Sequence, residues 1–476
     1  MPDLFCTPGT NLTKEDYSMT SKNLTLRRLI CGLLLLSMMA ALFCACGDQG
    51  NTEQPAVTTE PPVTEPPLPP KTGENAMEVV QAGLKDQLVT DPHTALDRDS
   101  NMTQLEALYA NLEVATGDMH HHTWYSDGYN TFAEVKASAD KLRYDFFACS
   151  EHNNWKQMEE SLFATDRNLY SMEYTTSKGH LNIYFPSQQP LTEVQQFTYH
   201  DPDRNKDYTM KFDQIPDMPV ISPRYWGQGF MQTFTNSLKD GTTFYQQLVD
   251  FVHEKGGFIQ ICHPYYPGYL YTPIDDENGN IDYFGFDAVE IFNATEFNNA
   301  GGIEYNARAY EYWQHLLNNG KKVYATTGSD THYLFEGESI THLNVTEQQS
   351  AAYYNAIKSG NFSLSNRTDG LRIRMSIGDT MMGGTTTYEE GKTLCVRIDM
   401  VKSYGPYRVN IYTDKGIAYS QVYTKDDVEI EIPIEDRLYY RVEIVKNGAK
   451  VTATSNKKDY PFYLAFSNPI FLSDAQ

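Results

Sequence analysis

The sequence predicts an α/β fold: a barrel-like β/α domain over residues 116–366 followed by a β-sandwich over 367–476. Two contrasts in patterning carry this expectation. Between Thr116 and Asn366 short apolar runs alternate with helical stretches, which argues for a largely parallel sheet wrapped by helices. From Leu371 onward the apolar period falls to two, as in half-buried strands packed face to face. Size and composition agree, since 476 residues with 40% hydrophobic and 21% charged side chains suit several packed domains rather than a disordered chain.

Lys22, Arg27 and Arg28 precede the apolar run 29–43, which ends in Phe43-Cys44-Ala45-Cys46-Gly47. A charged region, an apolar region and a small residue before a cysteine resemble a bacterial lipoprotein signal peptide. The resemblance implies that residues 1–45 are removed and that Cys46 becomes the lipidated first residue. An uncleaved signal anchor is the other reading. Either way, the positive-inside rule puts everything after Cys46 outside the cytoplasm, held at the cell membrane. Residues 46–75, rich in Pro, Thr and Glu, read as an extended spacer rising about 3 Å per residue. Residues 76–115 carry helical patterning (Val79, Val80, Leu84, Leu105, Leu108, Leu112) and read as a helical segment packed on the next domain.

Within 116–366, strands are expected at 146–149, 181–184, 258–261, 288–291 and 323–326, with helices at 131–141, 243–254 and 303–318. Residues 185–242 are too long for an ordinary loop and read as an insertion over the mouth of the site. The period-two strands beyond 367 cluster no catalytic residue types. They read as a stabilising or spacing module, with carbohydrate binding as the alternative.

Lys and Arg number 38 against 62 Asp and Glu, a net charge of −24 that argues against nucleic acid as the main partner. Seven widely spaced cysteines do not read as a disulfide framework. Neither a P-loop nor a dinucleotide fingerprint is present, against an ATPase or a dehydrogenase.

The chemistry lies in five ordered motifs. In Asp118-Met119-His120-His121-His122, period-two alternation turns His120 and His122 to one side, where they can share a metal, and His121 to the other. The rest are Glu151-His152, Glu173 with Gly179-His180, His263-Pro264 and Gly328-Ser329-Asp330-Thr331-His332. One histidine alone is more often a surface or capped core residue, but seven of the 12 histidines fall in these motifs. Mixed imidazole and carboxylate ligands suit Zn²⁺, Mn²⁺ or Fe²⁺ rather than Ca²⁺.

In order and spacing these motifs resemble the PHP (polymerase and histidinol phosphatase) superfamily, in its exported, carbaryl-hydrolase-like branch. The resemblance implies a distorted seven-stranded, TIM-like β/α barrel holding two or three divalent transition metals (Zn, Mn or Fe) at the strand ends. By position, His120 and His122 would hold a first metal with Asp330, and Glu173 would bridge to a second completed by His180 and His263. Asp127, His152 and His332 would hold a third. Glu173 and Asp330 are thereby catalytic candidates, joined by Glu290 at a strand end and by Glu151, which stands where the family usually has Asp. Lys178, Arg224, Tyr265 and Tyr266 are candidate substrate contacts, and Cys149 and Cys262 read as buried strand residues rather than nucleophiles. Three dications against three carboxylates and one hydroxide leave roughly +2, a hole suited to a phosphate. The expectation is a membrane-tethered, extracytoplasmic hydrolase whose metal-bridging hydroxide attacks a small phosphoester. A carboxylic or carbamate ester hydrolase, and a non-catalytic metal-stabilised module binding glycans, are the alternatives.

Overall fold

The computed structural model describes residues 98–163, 167–176, 179–194, 197–209, 241–265, 283–293, 298–400 and 405–473. The signal and spacer with Cys46, and also Lys178, Arg224 and Tyr266, lie outside them. The described residues form a mixed α/β structure with a sheet-rich C-terminal part.

The helices are α1 (Arg98–Tyr109), α2 (Phe132–Leu142), α3 (Gln188–Val194), α4 (Gly241–Glu254), α5 (Ile303–Asn318) and α6 (Ser350–Ser359). The first strands are β1 (Glu113–Asp118), β2 (Phe146–Phe147), β3 (Tyr170–Thr175), β4 (His180–Phe185), β5 (Thr198–Asp201) and β6 (Lys206–Thr209). Then come β7 (Phe258–Ile261), β8 (Ala288–Asn293), β9 (Tyr324–Gly328), β10 (Ile340–Val345) and β11 (Phe362–Ser365). Beyond these lie β12 (Leu371–Ile377), β13 (Thr380–Met381), β14 (Thr385–Thr387), β15 (Thr393–Met400) and β16 (Tyr407–Thr413). The last are β17 (Gly416–Tyr423), β18 (Val428–Pro433), β19 (Tyr439–Thr452), β20 (Asp459–Ser467) and β21 (Ile470–Ser473).

Backbone hydrogen bonds link β1, β2, β3, β4, β7, β8 and β9 into a circuit. β1 pairs parallel with β2, and a bridge from Phe147 to Asn168 leads towards β3. β3, β4 and β7 pair antiparallel in turn; β7, β8 and β9 pair parallel. Beyond β9, Asp330 N donates to His120 O at 2.8 Å and His122 N to Thr331 O at 3.2 Å, returning the path to the extension of β1. The circuit is therefore of mixed sense, not the largely parallel sheet that the alternation predicts. The cause is connection length: residues 176–179 between β3 and β4 leave room only for a hairpin, whereas α2 and α5 supply the long crossovers that parallel neighbours need.

The helices follow local signals. Thr131 caps α2, whose Glu134 reaches back to the Thr131 backbone, and Arg143 ends it in a left-handed conformation. Its apolar stripe, Phe132, Val135 and Ala139, is buried. The described part of the insertion packs outside the circuit: Phe197 and Tyr199 meet Phe244 of α4 at ring separations of 5.8 and 5.4 Å. Residues 210–240 lie outside the described residues.

In the C-terminal part a four-stranded sheet, β13-β12-β15-β18, faces a larger one. Ile373, Val396 and Ile430 from the first meet Val409, Val442 and Leu464 from the second in one apolar core. The larger sheet continues through β20, β11 and β10 to β1 and β2, so pairing runs across residue 366. The N-terminal helical segment departs from expectation. Met102, Leu105 and Tyr109 of α1 pack on Cys395 rather than on the domain next in sequence, and Tyr109 donates to Met375 O at 3.0 Å.

His342 on β10 is buried, and burial, then the nearby Arg372, hold its imidazole down to about 3 from an ordinary 6.5. The folded side chain stays neutral where the unfolded one takes a proton, so stability present above pH 6.5 falls as pH drops through that window. His342→Gln is expected to shrink the loss of unfolding free energy between pH 7 and about 5 by about 2 kcal/mol, read by denaturant titration at both pH values.

Candidate metal centre

The chain beyond β1 stays extended, bridging at His121 to Thr331. Alternation then sends His120 and His122 inward, and His121 the other way onto Phe335, at a ring separation of 4.2 Å. The His121 ring nitrogens have no hydrogen-bond partner among the described residues, and burial holds the imidazole well below the usual range. Glu173 on β3 and His180 at the start of β4 meet across the hairpin, Nδ1 to Oε1 at 2.9 Å. His263 follows β7, Asp330 and His332 follow β9, and Asp127 and His152 come from loops after β1 and β2.

The structure brings all nine residues expected as metal ligands together. Glu173 lies 3.5 Å from His120, 3.3 Å from His122, 2.7 Å from His152 and 3.1 Å from His263. Asp330 lies 2.9 Å from His122, 3.4 Å from His120 and 3.7 Å from His263. Asp127 is 3.1 Å from His332 and 3.5 Å from His152. His120-His122-Asp330, His152-Glu173-His180 and His122-Asp127-His152-His332 each bring one donor atom per residue within 4.8 Å of the others.

Four carboxylates orient this cluster or its loops. Glu290 takes His120 Nδ1 at 3.0 Å, and accepts from His263 N and Asn293 Nδ2, each at 2.9 Å. Asp118 accepts from the backbone N–H of both His120 (2.9 Å) and Ser329 (3.1 Å), tying two ligand segments together. Burial lifts the Asp118 carboxyl to about 7 despite those bonds. Glu134 caps α2, next to the Asp127 loop. Glu151, an expected catalytic group, does not face the cluster: Thr123 N donates to it at 3.0 Å, and the hydroxyls of Thr123 and Ser126 bind it as well. It shapes the loop that carries Asp127. Tyr265, an expected substrate contact, has Arg308 4.2 Å over its ring and an edge contact with Tyr312, so α5 occupies its face. Cys262 lies near His120 and Glu290, and burial holds its thiol well above the usual range.

Sequence reading missed Asn293 and Thr175. Asn293 Nδ2 also reaches Asp330 Oδ2 at 3.2 Å, and Thr175 Oγ1 lies 2.6 Å from His152 Nδ1. Neither carries a metal-binding side chain, and only pairing between strands brings them in. Asp118, which opens the first motif, was the one legible signal. Non-glycine residues take positive φ at Asn153 (49°), His263 (30°), Asp330 (47°) and Tyr265 (75°), so backbone strain gathers at the site.

Electrostatics follow from this crowding. Burial opposes charge on His120, yet Asp330, Glu290 and Glu173 together hold it well above the usual range. Burial and His152 pull His122 down, but Asp330 and Glu173 outweigh them and push it up to about 9. Burial opposes the Glu173 and Asp330 carboxylates too, and surrounding imidazoles still hold both below the usual range. His180 goes the other way, to about 4, because burial dominates.

The donors fit a divalent transition metal. His120 Nδ1 faces the Glu290 carboxylate at 3.0 Å, which would keep a proton there and free Nε2, 3.3 Å from His122 Nε2, for a metal that displaces the other proton. Two such nitrogens among carboxylates call for a cation between them. Bonds of about 2.0–2.2 Å in a tetrahedral shell put donors roughly 3.4 Å apart, close to the separations observed here.

No family model matches the chain, and no curated protein matches it. Among solved structures, the chain is similar to a two-domain protein from Bacteroides vulgatus described as containing a predicted PHP-like metal-dependent phosphoesterase. That likeness has 12% identity and a TM-score of 0.29 over 74% of this chain and 96% of the other. A Bifidobacterium adolescentis protein named for metal-dependent phosphoesterase activity shows 15% identity and a TM-score of 0.29 over 45% and 87%. An amidohydrolase from Chromobacterium violaceum with bound sulfate and no metal shows 18% and 0.27 over 46% and 87%. These likenesses are too slight to carry a conclusion about fold or chemistry.

Glu290→Gln is expected to lower metal affinity roughly 10- to 100-fold with the fold kept, read by competition with a chromogenic chelator and by circular dichroism. A Cβ at Gly328 would meet His120 Cβ at 2.3 Å. Gly328→Ala should therefore also reduce bound metal, and an unchanged stoichiometry would show that His120 needs no such clearance.

Proposed function

We propose that the protein is a metal-dependent hydrolase of the PHP type acting on a phosphoester. The observation that carries this reading is the convergence of nine imidazole and carboxylate side chains from distant segments, with His120 and His122 presenting facing nitrogens 3.3 Å apart. Bound divalent ions would supply activated water near neutral pH and positive charge towards a developing oxyanion.

The side chains do the rest. His120, His122 and Asp330 suit one ion, with Glu173, His180 and His263 beside it, and Asp127, His152 and His332 suit another position. Glu290 and Asp118 keep His120 aimed. His332, Asp330 and Asp127 are 32%, 20% and 17% exposed while the other ligands are buried, which supports approach of substrate from their side. Tyr129 and Tyr333 stand there too, stacked at 4.8 Å and each 59% exposed, a surface for the organic part of the ester. We further infer that the enzyme works outside the cytoplasm on a lipid tether at Cys46, a reading supported by the pattern of residues 22–46.

Protein stripped with a chelator and reloaded with Zn²⁺, Mn²⁺ or Fe²⁺ should hydrolyse p-nitrophenyl phosphate or its bis-ester. Asp330→Ala should lower kcat/KM roughly a thousandfold with metal-independent folding retained. Turnover of aryl esters or carbamates alone would move the reading to those substrates. Metal binding without any turnover, together with retention on glycan arrays, would replace it with a surface module.

A further inference from the structure

Apart from the metal centre, the described residues line a partly open cavity of about 320 Å³ where β1, β10 and β11 meet β12 and the segment after α1. Strand pairing sets Thr116, His342 and Ser363 side by side across β1, β10 and β11. Arg372 and Arg374 of β12 also line the cavity, with Asp399, and Leu112 and Val114 add apolar surface.

Two buried groups there lack what their chemistry asks for. His342 is 1% exposed, with Nδ1 3.0 Å from Thr116 Oγ1, and its Nε2 has no hydrogen-bond partner among the described residues. Arg372 Nε is likewise buried without one. Asp145 and Asp399 act on the Arg372 charge from nearby, but their bonds go elsewhere: Asp399 binds Arg374 and Arg397, and Asp145 accepts from Thr116 N at 2.8 Å. In the tautomer in which Thr116 Oγ1 donates to Nδ1, the neutral His342 ring carries its proton at Nε2, so that Nε2–H and Arg372 Nε–H are two donors without a partner among the described residues.

We propose that this cavity binds a small carboxylate-bearing molecule with a short apolar tail. The Arg372 guanidinium offers a planar fork matched to a carboxylate, and His342 Nε2–H and the Ser363 hydroxyl add donors. Leu112 and Val114 pack the tail. Asp399 offsets one of the two arginines, so the lining carries a single positive charge in excess, which suits a monoanion better than a dianion such as phosphate. The cavity volume is at the lower end for small-molecule sites.

The test is thermal unfolding of the full chain in sodium butyrate against sodium chloride at equal ionic strength. Butyrate at about 20 mM is expected to raise the midpoint by roughly 2 °C or more. The rise should vanish in Arg372→Gln and persist in Asp330→Asn, which separates this cavity from the metal centre. Leu112→Trp, which fills the space without touching a charge, should abolish it as well, and stands in if Arg372→Gln fails to fold. The proposal is overturned by no rise in the wild type, by a rise that survives Arg372→Gln, by loss in Asp330→Asn, or by a larger rise with phosphate or sulfate.

Discussion

The two oxygens of Glu173 face five imidazoles, those of His120, His122, His152, His180 and His263, all within 3.5 Å and nearly shut off from solvent. Burying an ionised carboxylate is expensive unless positive charge or hydrogen-bond donors are at hand, and the cluster of imidazoles around Glu173 supplies them. Asp330 and Asp127 extend the arrangement outward. The centre is therefore held by mutual need: removing one member leaves its neighbours buried and unanswered.

The surrounding fold is arranged to keep these groups from relaxing apart. Asp118 clamps the backbone of two ligand segments, and Glu290 fixes the ring of His120 while also holding the backbone of His263. The left-handed conformations at His263 and Asp330 aim their side chains where an ordinary strand end would not, and the backbone pairing of residues 329–331 with 120–122 stabilises that strain. Below the site, β10 and β11 join the circuit to the larger C-terminal sheet, so the β-sandwich braces β1, from whose end the first two histidines leave.

Much of this was legible in the chain. The helices over 131–141, 243–254 and 303–318 appear within two residues of where caps and apolar stripes put them, and β7 matches its apolar run at both ends. The period-two strands beyond residue 367 form two facing sheets. Mixed strand sense was less legible, because it turns on which strands become neighbours, and α1 settled on the sandwich because Cys395 and Met381, far along the sequence, offer its apolar face a partner.

Period, caps and residue type act within a few residues, and so the sequence by itself determined that His120 and His122 share a side, that His121 opposes them, and which side chains can bind metal. Whether those side chains meet depends on strand pairs separated by scores to hundreds of residues. Tertiary structure alone decided that Asn293 and Thr175 join the site, that Glu151 turns to Thr123 and Ser126, and that Arg372 faces a cavity whose one carboxylate, Asp399, binds other arginines. Such contacts follow from packing the whole chain into one volume, a cooperative outcome that no local pattern encodes.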